Sequence, residues 1–156
     1  MTDLPQVSHS QRYPADVVAA LPIPSSAKDV LTDVGLPRET EFFTAADALQ
    51  VTPDGQVRIG TDYGTDILLD ADGRVRSVSE SGEYPERFVN SDLPAFVRSL
   101  AIVIEKREEY AGESNDVLDE QVEVLAATLL DIDENVFADP ENWWSVIFEQ
   151  MRDGLL

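Results

Sequence analysis

The stretch that most constrains the fold is residues 57–100, because it reads as short β-type runs joined by tight turns and followed by an amphipathic helix. The runs DILLD and RVRSV are joined through Asp72 and Gly73, and an Asp-Gly pair supplies the positive φ that a tight hairpin needs. Beyond them, Ser91 or Asp92 can cap a helix whose first turn admits a proline. The stretch therefore predicts an antiparallel meander that leads directly into a helix.

Apolar residues at helical spacing flank the meander on both sides. Short helices are predicted before it, around Val17 and around Leu31, and longer ones after it, from about Asp92 and from about Asp116. We therefore predict an α+β fold, in which an antiparallel β-sheet of about four to six strands is flanked by N-terminal short helices and longer C-terminal helices. The long helices should pack mainly against one face of the sheet.

The predicted domain boundary follows from local composition. Residues 1–14 are polar, contain two prolines and show no periodicity, so we expect a flexible N-terminal arm. Residues 15–156 are predicted to form a single domain, because a chain of 156 residues and 17.2 kDa suits one hydrophobic core.

The segment EFFTAADAL combines two preferences. Phe42 and Phe43 favour a strand, whereas AADAL favours a helical turn. The segment is therefore predicted to be a strand followed by a turn, with the sheet beginning near Val51 or Val57.

The last helix has a clear predicted start, where Asp139 can cap it and Pro140 can occupy its first position. Trp144 then lies on the apolar stripe that faces the core. Trp143 lies about 100° from that stripe, because neighbouring helix residues do. We expect Trp144 to be the buried indole and Trp143 to lie at the edge of the contact.

Charge is the most unusual property of the composition. The chain has 31 Asp and Glu against 11 Lys and Arg, a formal net charge of −20 and a pI of about 4.1. Residues 101–156 hold 15 of the acids and only 3 of the basic residues. Such a surface repels nucleic acid and anionic membranes and attracts basic proteins. Binding to nucleic acid or to a membrane is therefore not expected.

Most catalytic and metal-binding chemistries lack the residues they need. There is no cysteine, and the only histidine, His9, lies in the predicted arm, where no triad could be held in place. Asp70 and Asp72 resemble the opening of a calcium loop, but the later ligands are missing, so this is predicted to be a hairpin turn. We expect no cofactor, no metal and no enzymatic activity. A hydrolase that uses paired carboxylates remains an alternative, since 31 acids form many pairs.

The expected compartment is the cytoplasm. The N-terminus lacks a basic start and an apolar core typical of a signal peptide. The longest aliphatic run, at residues 100–104, is far too short to cross a bilayer.

Several motifs in their order along the chain resemble the SUKH superfamily, in particular its actinobacterial branch of immunity proteins. These motifs are IGTDYGTDILLD, DGRV, FVNSDLPAFVRSL and the ending WWSVIFEQMRDGLL, and the resemblance covers roughly residues 20–156. It implies an α+β domain that neutralises a toxin domain, often a nuclease or nucleic-acid deaminase, by blocking its active surface and without chemistry of its own. The alternative is an adaptor or scaffold domain that binds another host protein.

Two acidic sets are candidates for contact with a basic toxin domain. The first crowds about two turns of the predicted helix near 116–132 and comprises Asp116, Asp119, Glu120 and Glu123. Like charges at i,i+4 in this set weaken a helix by roughly 0.2–0.5 kcal/mol per pair. The second set lies on the sheet and its turns and comprises Asp62, Asp66, Glu80 and Glu83.

Overall fold

The computed structural model describes residues 10–62, 64–79, 82 and 85–154. It has the predicted α+β architecture. In these described ranges, seven strands form a two-stranded and a five-stranded sheet: β1 (Ser10–Gln11), β2 (Leu36–Pro37), β3 (Thr44–Val51), β4 (Val57–Asp62), β5 (Thr65–Leu69), β6 (Val75–Ser79) and β7 (Arg87–Asn90). The helices are α1 (Ala15–Ala19), α2 (Ser25–Asp29), which continues into a π-helical turn (Val30–Val34), α3 (Leu93–Glu109), α4 (Asn115–Ile132) and α5 (Trp143–Arg152).

The five-stranded sheet is a simple meander. Its order is β3-β4-β5-β6-β7 and every neighbouring pair is antiparallel, which agrees with the predicted four to six strands. The predicted hairpin between β5 and β6 is confirmed. Asp70 Oδ1 accepts hydrogen bonds from the backbone N–H groups of Asp72 and Arg74, at 2.9 and 3.0 Å, and Gly73 has a φ of 93°. An Asp side chain thus closes the turn that a glycine makes sterically possible.

The sheet begins earlier than the sequence predicts, because AADAL continues β3 instead of forming a turn. The turn comes before the strand, where Thr40 Oγ1 accepts hydrogen bonds from the N–H groups of Phe42 and Phe43. Pairing of β3 with β4 overrides the helical preference of the alanines. At the bulge in β4, Gly60 is needed for space, since a Cβ there would collide with the ring of Phe43 and the carbonyl oxygen of Thr44.

The long helices and one face of the sheet enclose a single hydrophobic cluster. The apolar stripe predicted for α3 is buried as expected, and Asp92, rather than Ser91, caps the helix by accepting a hydrogen bond from the N–H of Ala95 at 2.8 Å. The largest fully buried side chains include Phe43, which directly precedes β3, and residues of the sheet, α3 and α5: Ile59, Ile67, Leu69, Phe96, Leu100, Trp144 and Phe148.

The predicted start of the last helix is wrong by three residues. Asp139 and Pro140 form a separate turn, in which Asp139 Oδ1 accepts a hydrogen bond from the N–H of Glu141 at 2.8 Å. Helix α5 instead follows Asn142, which is buried. Its side-chain amide donates to the backbone carbonyl oxygens of Asn135 and Val136, which precede the turn. The turn at Asp139 and Pro140 does not continue into α5, because the hydrogen bonds of the buried Asn142 side chain set the start of the helix at the next residue.

The predicted difference between the two tryptophans is also wrong, since Trp143 is 4% exposed and Trp144 is 0% exposed. Helix α5 is covered on two sides, so the 100° between neighbouring residues does not carry either indole to the surface.

Part of the predicted N-terminal arm packs on the domain. Strand β1 pairs with β2, and Tyr13 is buried, with its hydroxyl donating a 2.5 Å hydrogen bond to the carbonyl oxygen of Ala46. Burial raises the pKa of Tyr13 to about 12, and the charge of Asp47 adds to the rise. The packed structure therefore includes residues 10–14. His9 lies outside the described residues.

Candidate partner-binding surface

Helix α4 places the first acidic set together on its outer side. The helix forms because Leu125, Ala126 and Leu129 bury one side of it against the core. Positions on the opposite side are exposed, and these include all four candidates: Asp116, Asp119, Glu120 and Glu123. The four carboxylates therefore share one exposed side of the helix, as their helical spacing in the sequence indicates.

The outer side of α4 carries negative charge that few basic groups offset. Residues 115–134 hold seven acidic side chains and no basic one. Glu123 is paired, because Arg152 of α5 donates a 2.7 Å hydrogen bond to its Oε1. Within the described part of the chain, no basic side chain pairs with Asp116, Asp119 or Glu120. These three carboxylates are the ones that project unneutralised charge.

The second acidic set is only partly described. Asp62 and Asp66 lie on the β4–β5 hairpin, whereas Glu80 and Glu83 lie outside the described residues. Asp62 Oδ2 accepts a 2.8 Å hydrogen bond from the indole of Trp143. Burial raises the pKa of Asp62, and this hydrogen bond opposes the rise. Asp62 therefore already has a partner within the chain, and its hydrogen bond holds the β4–β5 hairpin against α5.

Several further charges of the described sheet are also paired within the chain. Arg58 donates a 2.9 Å hydrogen bond to Asp66, so the carboxylate of Asp66 is already neutralised. Arg76 bridges Asp70 and Glu86, at 3.1 and 2.9 Å. A basic partner would gain less from these carboxylates than from those on α4, because it would have to compete with the arginines.

A groove between α4 and α5 is a feature that the sequence reasoning missed. It has a volume of about 700 Å³ and lies beside the acidic face of α4, with Glu123 at its border. Its lining is mainly apolar, from Ala126, Ala127, Leu130, Phe137 and Pro140. The available sequence signal was an apolar residue, Leu130, on the otherwise acidic outer side of the helix.

A buried polar network joins the FVNS motif at the end of β7 to the WW pair at the start of α5. Asn90 is fully buried, and its Oδ1 accepts a 2.9 Å hydrogen bond from the indole of Trp144. The Asn90 amide donates to Asp133, which also accepts from the N–H and the hydroxyl of Ser91. These residues satisfy one another, so the network holds β7, α3, α4 and α5 together instead of forming an open site.

Among the described residues, no three His, Cys, Asp or Glu side chains converge in a way that could hold a metal ion. None of the helices in this part of the chain is both long and apolar enough to span a bilayer.

One comparison with known proteins found a match. A family model described as SUKH-4 immunity protein matches residues 7–150, which is most of the chain. Neither the curated proteins nor the solved structures gave a match.

Proposed function

The chain belongs to the SUKH-4 immunity protein family, and we propose that it binds a basic toxin domain and neutralises it by covering its active surface. The observation that carries this proposal is the family match over residues 7–150. The acidic surface supports the finer part, that the toxin domain is basic.

The proposed toxin class follows from charge complementarity. Nucleases and nucleic-acid deaminases must bind an anionic backbone, so their substrate surfaces are positively charged. A protein with a net charge of −20 is attracted to such a surface before contact. Once bound, the carboxylates on α4 would occupy the surface that phosphates otherwise reach, and inhibition needs no catalysis by the immunity protein.

We propose Asp116, Asp119 and Glu120 as the principal contact residues, with Glu123 at the border of the contact. Two observations support this assignment. The four residues are exposed on one helix face, and the first three lack a basic partner in the described structure. Asp62 and Asp66 are proposed only as secondary contacts, because Trp143 and Arg58 already engage them. Glu80 and Glu83 stay in the secondary set on sequence grounds.

The test is neutralisation by the purified protein of the toxin domain encoded by the neighbouring gene. We expect calorimetry to show a 1:1 complex. Toxin activity should be lost completely once one equivalent of the immunity protein has been added. The titration should be unaffected when the immunity protein is first treated with a chelator and dialysed. Binding that leaves the toxin fully active would favour an adaptor domain instead, and turnover of the toxin by trace amounts of the protein would favour an enzyme.

A further inference from the structure

The outer face of α4 changes character along its length. Its N-terminal half carries the four candidate acids, whereas its C-terminal half exposes Val124, Ala127 and Leu130 together with one acid, Asp131. Val124 is 55% exposed and Leu130 is 44% exposed, which makes them two of the four large hydrophobic residues that stand out in the described structure. Glu123, Ala127 and Leu130 follow one another at spacings of four and three residues, so they lie in one row on the helix.

The groove is lined by Leu130 of α4, by residues of α5, and by Phe137 and Pro140 of the segment that connects the two helices. The ring of Phe137 packs edge-on against Phe148 of the core, with 5.0 Å between the ring centroids. Proline has a fixed φ, which limits the movement of the connecting segment. The groove is therefore formed before a partner binds, and a partner would spend little free energy on ordering it.

Charge around the groove determines which occupant fits. Glu123 and Glu149 line its polar border, and the single basic residue there, Arg152, is paired with Glu123. A second copy of this chain, with its net charge of −20, would bring like charges together. A basic protein surface is complementary to the same border.

From this geometry we infer that the groove receives an apolar side chain of the toxin domain, flanked on the toxin by lysine or arginine. The inference rests on the proposed function and adds a second kind of contact to it. Charges on α4 govern how fast the partners meet, whereas a desolvated apolar anchor governs how long they stay together. The two contributions can therefore be separated by kinetics.

The experiment measures association and dissociation rates of the toxin domain encoded by the neighbouring gene, at about 0.15 and about 0.5 M salt. Leu130→Gln removes an apolar side chain from the groove lining but keeps a good helix former, and Ala127→Gln fills the groove with a longer side chain. Val17→Gln is the matched control, because Val17 on α1 is also 44% exposed. Thermal unfolding of each variant establishes that it is folded.

We expect both groove variants to dissociate about tenfold faster or more, at both salt concentrations, with association rates within about twofold of wild type. The Val17 control should behave as wild type. Folded groove variants with unchanged dissociation would overturn the inference and leave the proposed function standing. Absence of binding by the wild-type protein would overturn both. A wild-type dimer in sedimentation that Leu130→Gln dissolves would assign the groove to a second copy and also overturn it.

Discussion

At the scale of single residues, Trp143 is held by contacts on several sides. Its ring centroid lies 4.8 Å from that of Trp144 and 6.0 Å from that of Phe96, and its indole N–H donates to Asp62. Trp144 has equivalent support, from Phe42, Phe148 and the side chain of Asn90. The two tryptophans therefore join the hairpin, the sheet edge and the helices into one aromatic cluster.

We predict that Trp143→Ala and Trp144→Ala lower the free energy of unfolding by similar amounts, about 3–5 kcal/mol each, as expected when a buried large aromatic is deleted. Equilibrium denaturation in urea measures both. Trp143→Phe serves as a milder variant, because it keeps an aromatic ring in place while it removes the hydrogen bond to Asp62 and part of the buried indole. A loss below about 1 kcal/mol for Trp143→Ala would show that its side chain is not part of the core.

Sequence periodicity could not have predicted the burial of Trp143. A hydrophobic stripe describes one contact side of a helix, whereas α5 meets the core on one side and the β4–β5 hairpin on another. The second contact comes from Asp62, 81 positions earlier in the chain. Local patterns do not report such long-range partners.

At the scale of elements, local turn chemistry was a reliable guide where the side chain itself closes the turn. Asp70 and Gly73 form the predicted hairpin, and Asp92 caps α3. The errors arose where tertiary contacts decided the outcome. The alanines of β3 are helix formers that strand pairing holds extended, and the Asp139 turn ends early because Asn142 is buried.

Asp133 joins the end of α4 to β7 and to the start of α3, and it carries the element-scale prediction. It is buried and accepts hydrogen bonds from Asn90 and Ser91. Asp133→Ala should cost at least about 2 kcal/mol of stability, because each buried donor left without an acceptor costs about 1–3 kcal/mol. Asp131→Ala is the matched control, since Asp131 is exposed two residues earlier and should change stability by less than about 0.5 kcal/mol.

Thermal and urea unfolding of the two variants decide this prediction. Equal, small losses would mean that the donors of Asn90 and Ser91 find other acceptors, and that the network does not hold the helices to the sheet.

At the scale of the whole molecule, net charge alone does not identify a binding surface. Asp66, Asp70 and Glu86, on and beside the sheet, are paired with Arg58 or Arg76. In the described structure Asp116, Asp119 and Glu120 on the outer side of α4 have no such basic partner. The acidic helix face could be predicted from sequence, because helical spacing places its residues together. The Glu123–Arg152 pair and the neighbouring groove could not be predicted from the sequence, because both depend on how α5 packs beside α4.

The central claim is that this face of α4 captures a basic toxin domain, and the association rate of the toxin domain tests it most directly. Asp119→Lys with Glu120→Lys reverses two unpaired charges and leaves the Glu123–Arg152 pair intact. Asp33→Lys with Asp54→Lys is the control, made at exposed acids outside α4. Each substitution adds two positive charges, so both variants change the net charge by the same amount, from −20 to −16.

Stopped-flow measurements at about 0.05 and about 0.5 M salt give the rates. We expect the α4 variant to associate about tenfold more slowly or worse at low salt and to lose most of that deficit at high salt, because screening shortens the reach of charge. The control should slow association far less. Equal slowing by the two variants, or an unchanged rate for a folded α4 variant, would contradict the claim that this face captures the toxin.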